Sequence, residues 1–270
     1  MKRWLATVMI FGVSSAVVRA DVTVVQTTTM EGGVAAMAGG GMSPKMTNRV
    51  KGMKSRSDIE LPSVNASSIT DLVANQMIFL RHDQKTAQVA GAAASTTTVP
   101  ATASVKLDAA LAPTGKSQVI DGFKCDEYTF TTTMTMADMA GSQMPPEAAG
   151  MLKDLSVIMK GSMWVAKDVP GAAEYIAFQK ALAKSDLASA AVKASGVNIP
   201  GIDKMLKAMG AVDGLTYLTV MDLTIEGSGQ VADMMRQMGA MKITTRVTSI
   251  STDPVSDDMF KVPEGYTVIK

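Results

Sequence analysis

The chain has 270 residues, 47% of them apolar and 19% charged, a length and balance that bury a sizeable core and exclude intrinsic disorder. A single histidine, His82, and a single cysteine, Cys125, exclude histidine-rich zinc sites, iron–sulfur clusters and an intrachain disulfide framework. A formal net charge of +1 presents no basic face, so no nucleic-acid partner is expected.

Residues 1–20 read as an export signal. Lys2 and Arg3 precede an apolar stretch over residues 4–18, and Val18-Arg19-Ala20 places small residues at the two positions a signal peptidase reads. The stretch is short and is broken by Gly12, Ser14 and Ser15, which makes a poor membrane span; an uncleaved anchor is the alternative. Cleavage after Ala20 would leave residues 21–270 as one domain in the periplasm, with no stable membrane span and no cysteine at the cut to carry lipid. It removes Lys2, Arg3 and Arg19 and no acid, so the remaining chain is slightly negative. In that oxidising compartment a lone Cys125 must be buried, capped or paired with another chain, and its place in a strand-like run favours burial.

Residues 21–31 are rich in Val and Thr and predict a strand. Residues 32–44 form a Gly/Ala/Met loop, and residues 45–61 carry two strands turning near Gly52. Strands over 69–74 and 77–82 are separated by Asn75, and Asp83-Gln84-Lys85 makes another tight turn before 86–89. Residues 91–104 read as an exposed, low-complexity loop. Val119-Ile120, Asp121-Gly122 and then 123–136 predict a hairpin with a two-residue turn. On its second arm Tyr128, Phe130, Met134 and Met136 share one face, and Cys125, Glu127, Thr129 and Thr131 the other.

A short helix is expected over 144–155, a strand over 157–167, and the most helical stretch over 171–194, where Tyr175, Phe178 and Leu182 lie along one stripe. Pro200 opens another helix carrying Ile202, Met205, Leu206 and Met209. Residues 217–226 alternate cleanly, with 242–251 as the antiparallel partner, and a last strand is expected over 260–269, interrupted by Pro263-Glu264-Gly265. The sum is an α+β domain: a large antiparallel sheet, half polar and half apolar, met by helices inserted late in the chain.

Sites of known chemistry are few. A Ser–His–acid triad would need His82, which sits beside a polar turn where solvation is expected, and no second histidine exists to activate Cys125. Asp257-Asp258 reads as a turn before a strand. Residues 32–41 lack the Lys-Ser/Thr of a phosphate loop, and Gly227-Ser228-Gly229 lacks the third glycine of a dinucleotide site. No catalytic constellation is visible and no cofactor is expected. A hydrolase working through an acid pair remains a rival reading.

Methionine is the compositional anomaly, at 23 residues against only 4% aromatics. Met134, Met136 and Met139 lie close together, as do Met234, Met235, Met238 and Met241, and thioethers bind copper(I). The alternative is that methionine supplies adaptable apolar bulk, because most of these positions follow a strand or helix period.

Three segments carry a family resemblance. They are Asp121-Gly122-Phe123-Lys124-Cys125 running into Asp126-Glu127-Tyr128, then Met163-Trp164-Val165-Ala166-Lys167-Asp168-Val169-Pro170-Gly171, and the closing Met259-Phe260-Lys261-Val262-Pro263-Glu264-Gly265-Tyr266. With the N-terminal signal, these resemble exported bacterial proteins of the lipoprotein-carrier (LolA-like) superfamily, nearest an uncharacterised, often Met-rich branch. The resemblance implies a curved, incomplete antiparallel β-barrel closed by inserted helices, with an apolar inner face that holds acyl chains. The helical insert and the loop at 91–104 depart from the carriers' pattern.

In such a half-barrel Tyr128, Phe130, Met134, Met136, Met221, Leu223 and Ile225 are the inner-facing candidates. Burying about a dozen methylenes, at about 0.8 kcal/mol each, would supply on the order of 10 kcal/mol before costs, with no catalytic motif needed. The expectation is therefore a monomeric, non-enzymatic periplasmic carrier whose partner is a lipid or an acylated protein. The alternatives are a copper(I)-binding protein using Met134, Met136 and Met139, and a structural or interaction protein of the envelope with a filled core.

Overall fold

A computed structural model describes residues 21–32, 43–61, 65–91, 111–135, 154–187, 207–237 and 239–269. Twelve strands form one large, open, curved sheet: β1 (Val22–Glu31), β2 (Lys45–Lys51), β3 (Lys54–Glu60), β4 (Asn65–Asp71), β5 (Gln76–Arg81), β6 (Thr86–Gly91), β7 (Ala112–Ile120), β8 (Phe123–Thr135), β9 (Ser156–Ala166), β10 (Leu215–Glu226), β11 (Met241–Ser251) and β12 (Thr267–Ile269). Their spatial order is β12-β6-β5-β4-β3-β2-β1-β11-β10-β9-β8-β7. Neighbours from β6 through to β7 in that order run antiparallel. The edge pair β12–β6 is parallel and makes the sheet mixed. Beside the sheet lie two α-helices, α1 (Ala172–Lys184) and α2 (Gln230–Gln237), a helical turn over 207–210 and a 3₁₀ turn at Asp257–Phe260.

The turns follow from local chemistry. Asp121 and Gly122 both take positive φ (50° and 87°), the twist a two-residue hairpin between β7 and β8 needs. Asn75 takes φ 50° between β4 and β5, and Asp71 Oδ1 accepts from the backbone N–H groups of Val73 (3.0 Å) and Ala74 (2.9 Å) in the same turn.

Two apolar cores form. The first gathers strand ends at one end of the sheet: Val22 and Val24 of β1, Val50 of β2, Cys125 of β8, Ala166 of β9, Leu215 and Tyr217 of β10. Phe178 of α1 is buried among them, with Tyr175 and Leu182 packed alongside, so the helical stripe expected from spacing faces this core. The second core joins Ile69, Leu80 and Ala87 to Val255 and Phe260. Cross-strand register sets Val50 in line with Ser55, Thr70, Met77 and Ala90, so Ile69, Leu80 and Ala87 point to the opposite face. The chain after β11 covers that face.

Several boundaries move. The expected last strand over 260–269 shrinks to β12, because Phe260 ends the 3₁₀ turn and its ring is buried in the second core. Ser256 caps that turn, its side chain accepting from the Asp258 N–H, so Asp257-Asp258 opens a turn of helix and not a strand. The strand expected over 69–74 is shifted to Asn65–Asp71, the turn having claimed residues 72–75. Helix α1 stops at Lys184, where Ser185 turns extended and its hydroxyl donates to the Leu182 carbonyl (2.8 Å). Residues 188–194, nearly all of the expected helix at 144–155, most of the one opened by Pro200 and most of both predicted loops lie outside the described residues. Among the described residues no helix is long and apolar enough to cross a membrane.

Candidate functional site

Register assembles one face of β8 to β11 and β1 from rows of directly opposed residues. Tyr128 opposes Met163, which opposes Thr219, then Thr245, then Thr28. The next row runs Phe130, Gly161, Met221, Ile243, Met30, and the next Thr132, Met159, Leu223, Met241. Met134, Val157 and Ile225 close the set. Six of the seven residues singled out from sequence (Tyr128, Phe130, Met134, Met221, Leu223 and Ile225) thus lie on a single face; Met136 lies outside the described residues. Sequence spacing within one strand could group them strand by strand, but it missed Met30, Met159, Met163 and Met241, which only pairing brings alongside.

Six methionines therefore share this face. Met163, Val157 and Thr132 are buried, and the six singled-out residues are half-buried. The intervening Thr129, Thr131 and Thr133 of β8 are exposed. Gly161 lies beneath the Phe130 ring: a Cβ there would press hardest on the Val220 carbonyl oxygen and come within 2.9 Å of both Phe130 Cζ and Met221 Cα. Absence of a side chain at 161 lets the ring cross β9 toward Met221. Of the proposed copper ligands Met134, Met136 and Met139, only Met134 is among the described residues, so their convergence rests on no described geometry. In the second methionine group Met234 is exposed on α2, while Met241 joins the face on β11.

The sole histidine belongs elsewhere and is not solvated as expected. His82 Nε2 lies 2.6 Å from Ser67 Oγ, and Nδ1 lies 2.5 Å from the Tyr266 hydroxyl. Ser67 Oγ donates to Asp58 Oδ1 (2.5 Å) and accepts from Arg56 Nη2 (3.2 Å). Arg56 Nε also binds Asp58 (2.7 Å), and Arg49 pairs with the other carboxylate oxygen. Burial pushes the Asp58 carboxyl up, but the hydrogen bonds from Ser67 and Arg56 and the charges of Arg56 and Arg49 outweigh it and hold the group below the usual carboxylate range.

With Asp58 ionised, the proton assignments follow. The Ser67 hydroxyl hydrogen is committed to the carboxylate, so His82 must donate from Nε2, and a neutral ring then accepts the Tyr266 hydroxyl proton at Nδ1. A nucleophilic serine needs its proton aimed at the histidine. Here it points away, and Ser67 is only 4% exposed. The network instead ties the C-terminal segment to the sheet, as do Arg56 Nη1 to the Met259 carbonyl (3.1 Å) and Lys51 Nζ to the Val255 carbonyl (2.8 Å).

Among the described residues no group of three or more His, Cys, Asp or Glu could hold a metal ion. Cys125 is wholly buried, and burial pushes its thiol above the ordinary value.

No family model and no curated protein matches the chain. Among solved structures it is similar to an uncharacterized conserved protein from Thermus thermophilus, over 93% of this chain and 91% of that one, at 5% identity and a TM-score of 0.39.

Proposed function

We propose that the protein is an exported, monomeric, non-enzymatic carrier that binds a lipid or the acyl chain of a lipoprotein on the methionine-rich face of a LolA-like half-barrel. The observation that carries this reading is the six-methionine face, centred on Phe130 above Gly161, on an open curved sheet. Methionine is unbranched and polarizable, so such a wall can mould itself to alkyl chains of differing shape. Binding by apolar area asks for no reactive constellation.

The test is to express the whole chain with its N-terminal segment, recover the periplasmic protein without detergent, and weigh it by native mass spectrometry before and after organic extraction. A co-purifying lipid or acylated species near one per protein is expected. A bare protein that takes up no lipid but gains copper(I) would overturn the carrier reading in favour of a thioether metal site. A mass matching a chain that begins at Asp21 is the expected signature of export.

A further inference from the structure

We infer that the ligand held on this face is an uncharged amphiphile, a neutral acyl ester such as a diacylglycerol, in preference to an anionic phospholipid. The inference rests on the carrier reading above and specifies its substrate class.

The rows from Tyr128 to Ile225 contain no charged residue. Strand alternation sends every charge of β9, β10 and β11 (Lys160, Asp222, Glu226, Lys242 and Arg246) to the opposite face. Beyond the Tyr128 row, Asp126 opposes Val165, and its carboxylate is already bound by Ser117 (2.7 Å) and Lys167 (3.1 Å). A phosphate seated at the Tyr128 row would meet the Asp126 carboxylate first, two residues away. Lys124, the one cation that alternation along β8 places on this side, lies a further two residues out, about 13 Å from the row at about 3.3 Å per residue. A charge taken from water without a partner is costly.

What the face offers at that end is hydroxyl. Thr28, Thr219, Thr245 and Tyr128 lie in one row. Thr28 and Thr245 share a hydrogen bond of 2.9 Å, which uses one of their two hydroxyl hydrogens and leaves the other free to donate. Ester carbonyls and glycerol hydroxyls match such donors and acceptors. From that row to Met134 the apolar face runs roughly 20 Å at about 3.3 Å per residue, the reach of an extended acyl chain.

The test compares dioleoylglycerol with dioleoylphosphatidylglycerol, two probes with identical chains, on the purified full-length protein by equilibrium binding, with hexadecane as a chain without a headgroup. Dioleoylglycerol should bind at least about tenfold more tightly than the phospholipid. Thr219→Val with Thr245→Val should weaken dioleoylglycerol by about fivefold and leave hexadecane unchanged. Equal or tighter binding of the phospholipid would overturn this inference while leaving the carrier reading in place. Failure of all three probes to bind would overturn the carrier reading itself. Should the double variant not fold, the comparison on the unaltered protein decides alone.

Discussion

His82 Nδ1 lies 2.5 Å from the Tyr266 hydroxyl, and the two rings meet edge to face at 5.9 Å and 81° although 184 residues separate them in the chain. This contact fastens the C-terminal segment to the turn after β5. Through Ser67 and Asp58 it connects to Arg56, which holds the Met259 carbonyl on the same segment. Thr267 then follows as the first residue of β12, its N–H donating to the Lys85 carbonyl (2.9 Å).

Tyr266→Phe removes one donor from this latch and should cost about 1 kcal/mol of stability. The loss should be local. Hydrogen exchange should quicken at Thr267 and in β12 while the amides of β1 and β11 keep their protection. Unchanged exchange at Thr267 would mean that the hydroxyl holds nothing.

Asp58 lies between two cations. Arg49 and Arg56 are directly opposed across β2 and β3, an arrangement that repels unless an anion intervenes. Asp58→Asn should therefore destabilise the protein by about 2–3 kcal/mol, read from denaturant midpoints. A variant of unaltered midpoint would show that the two arginines find solvent instead.

The same carboxylate sets an acid limit. Its folded pKa lies below its unfolded one, so the stabilisation it gives is complete above about pH 4 and is lost as pH falls through the lowered folded value. Tail exchange relative to the first core should rise over that acid interval in the native protein and lose this pH dependence in Asp58→Asn. A wild-type profile that tracks the variant would place the acid sensitivity elsewhere.

Gly161→Ala should cost about 1–3 kcal/mol, because the added Cβ would press on the Val220 carbonyl oxygen of the neighbouring strand as well as on the Phe130 ring. Phe130→Ala in the same chain relieves only the ring contact, because the Val220 carbonyl oxygen and Met221 Cα, the latter at 2.9 Å, still crowd the added Cβ. The double-mutant cycle should consequently show partial recovery. Full additivity would mean that the ring does not rest on this glycine.

Cys125 should be inert to a thiol reagent at pH 8 in the native protein and titrate as one thiol in denaturant, since it is wholly buried and its thiol is held above the ordinary value. Rapid native labelling would require an opening of the first core around β8.

Hairpins were the legible part of this fold, because a turn declares itself within a few residues. Gly52, Asn75, Lys85 and the Asp121-Gly122 pair each take positive φ where sequence placed a reversal. Alternation along β8 and β10 likewise exposed the two halves of the methionine face. At the end of the chain only the part of 260–269 beyond the Pro263-Glu264-Gly265 interruption is a strand, Thr267–Ile269, while Phe260 ends a 3₁₀ turn with its ring buried in the second core.

By itself the sequence determined strand identity, turn position and which side chains within a strand share a face, all of them consequences of backbone sterics and a two-residue period. Tertiary structure alone decided which strands lie side by side, that β12 pairs in parallel, and that His82 meets Tyr266 and not water. Those outcomes depend on contacts between residues far apart in the chain, whose loop-closure cost is repaid only when the whole sheet and its two cores form together.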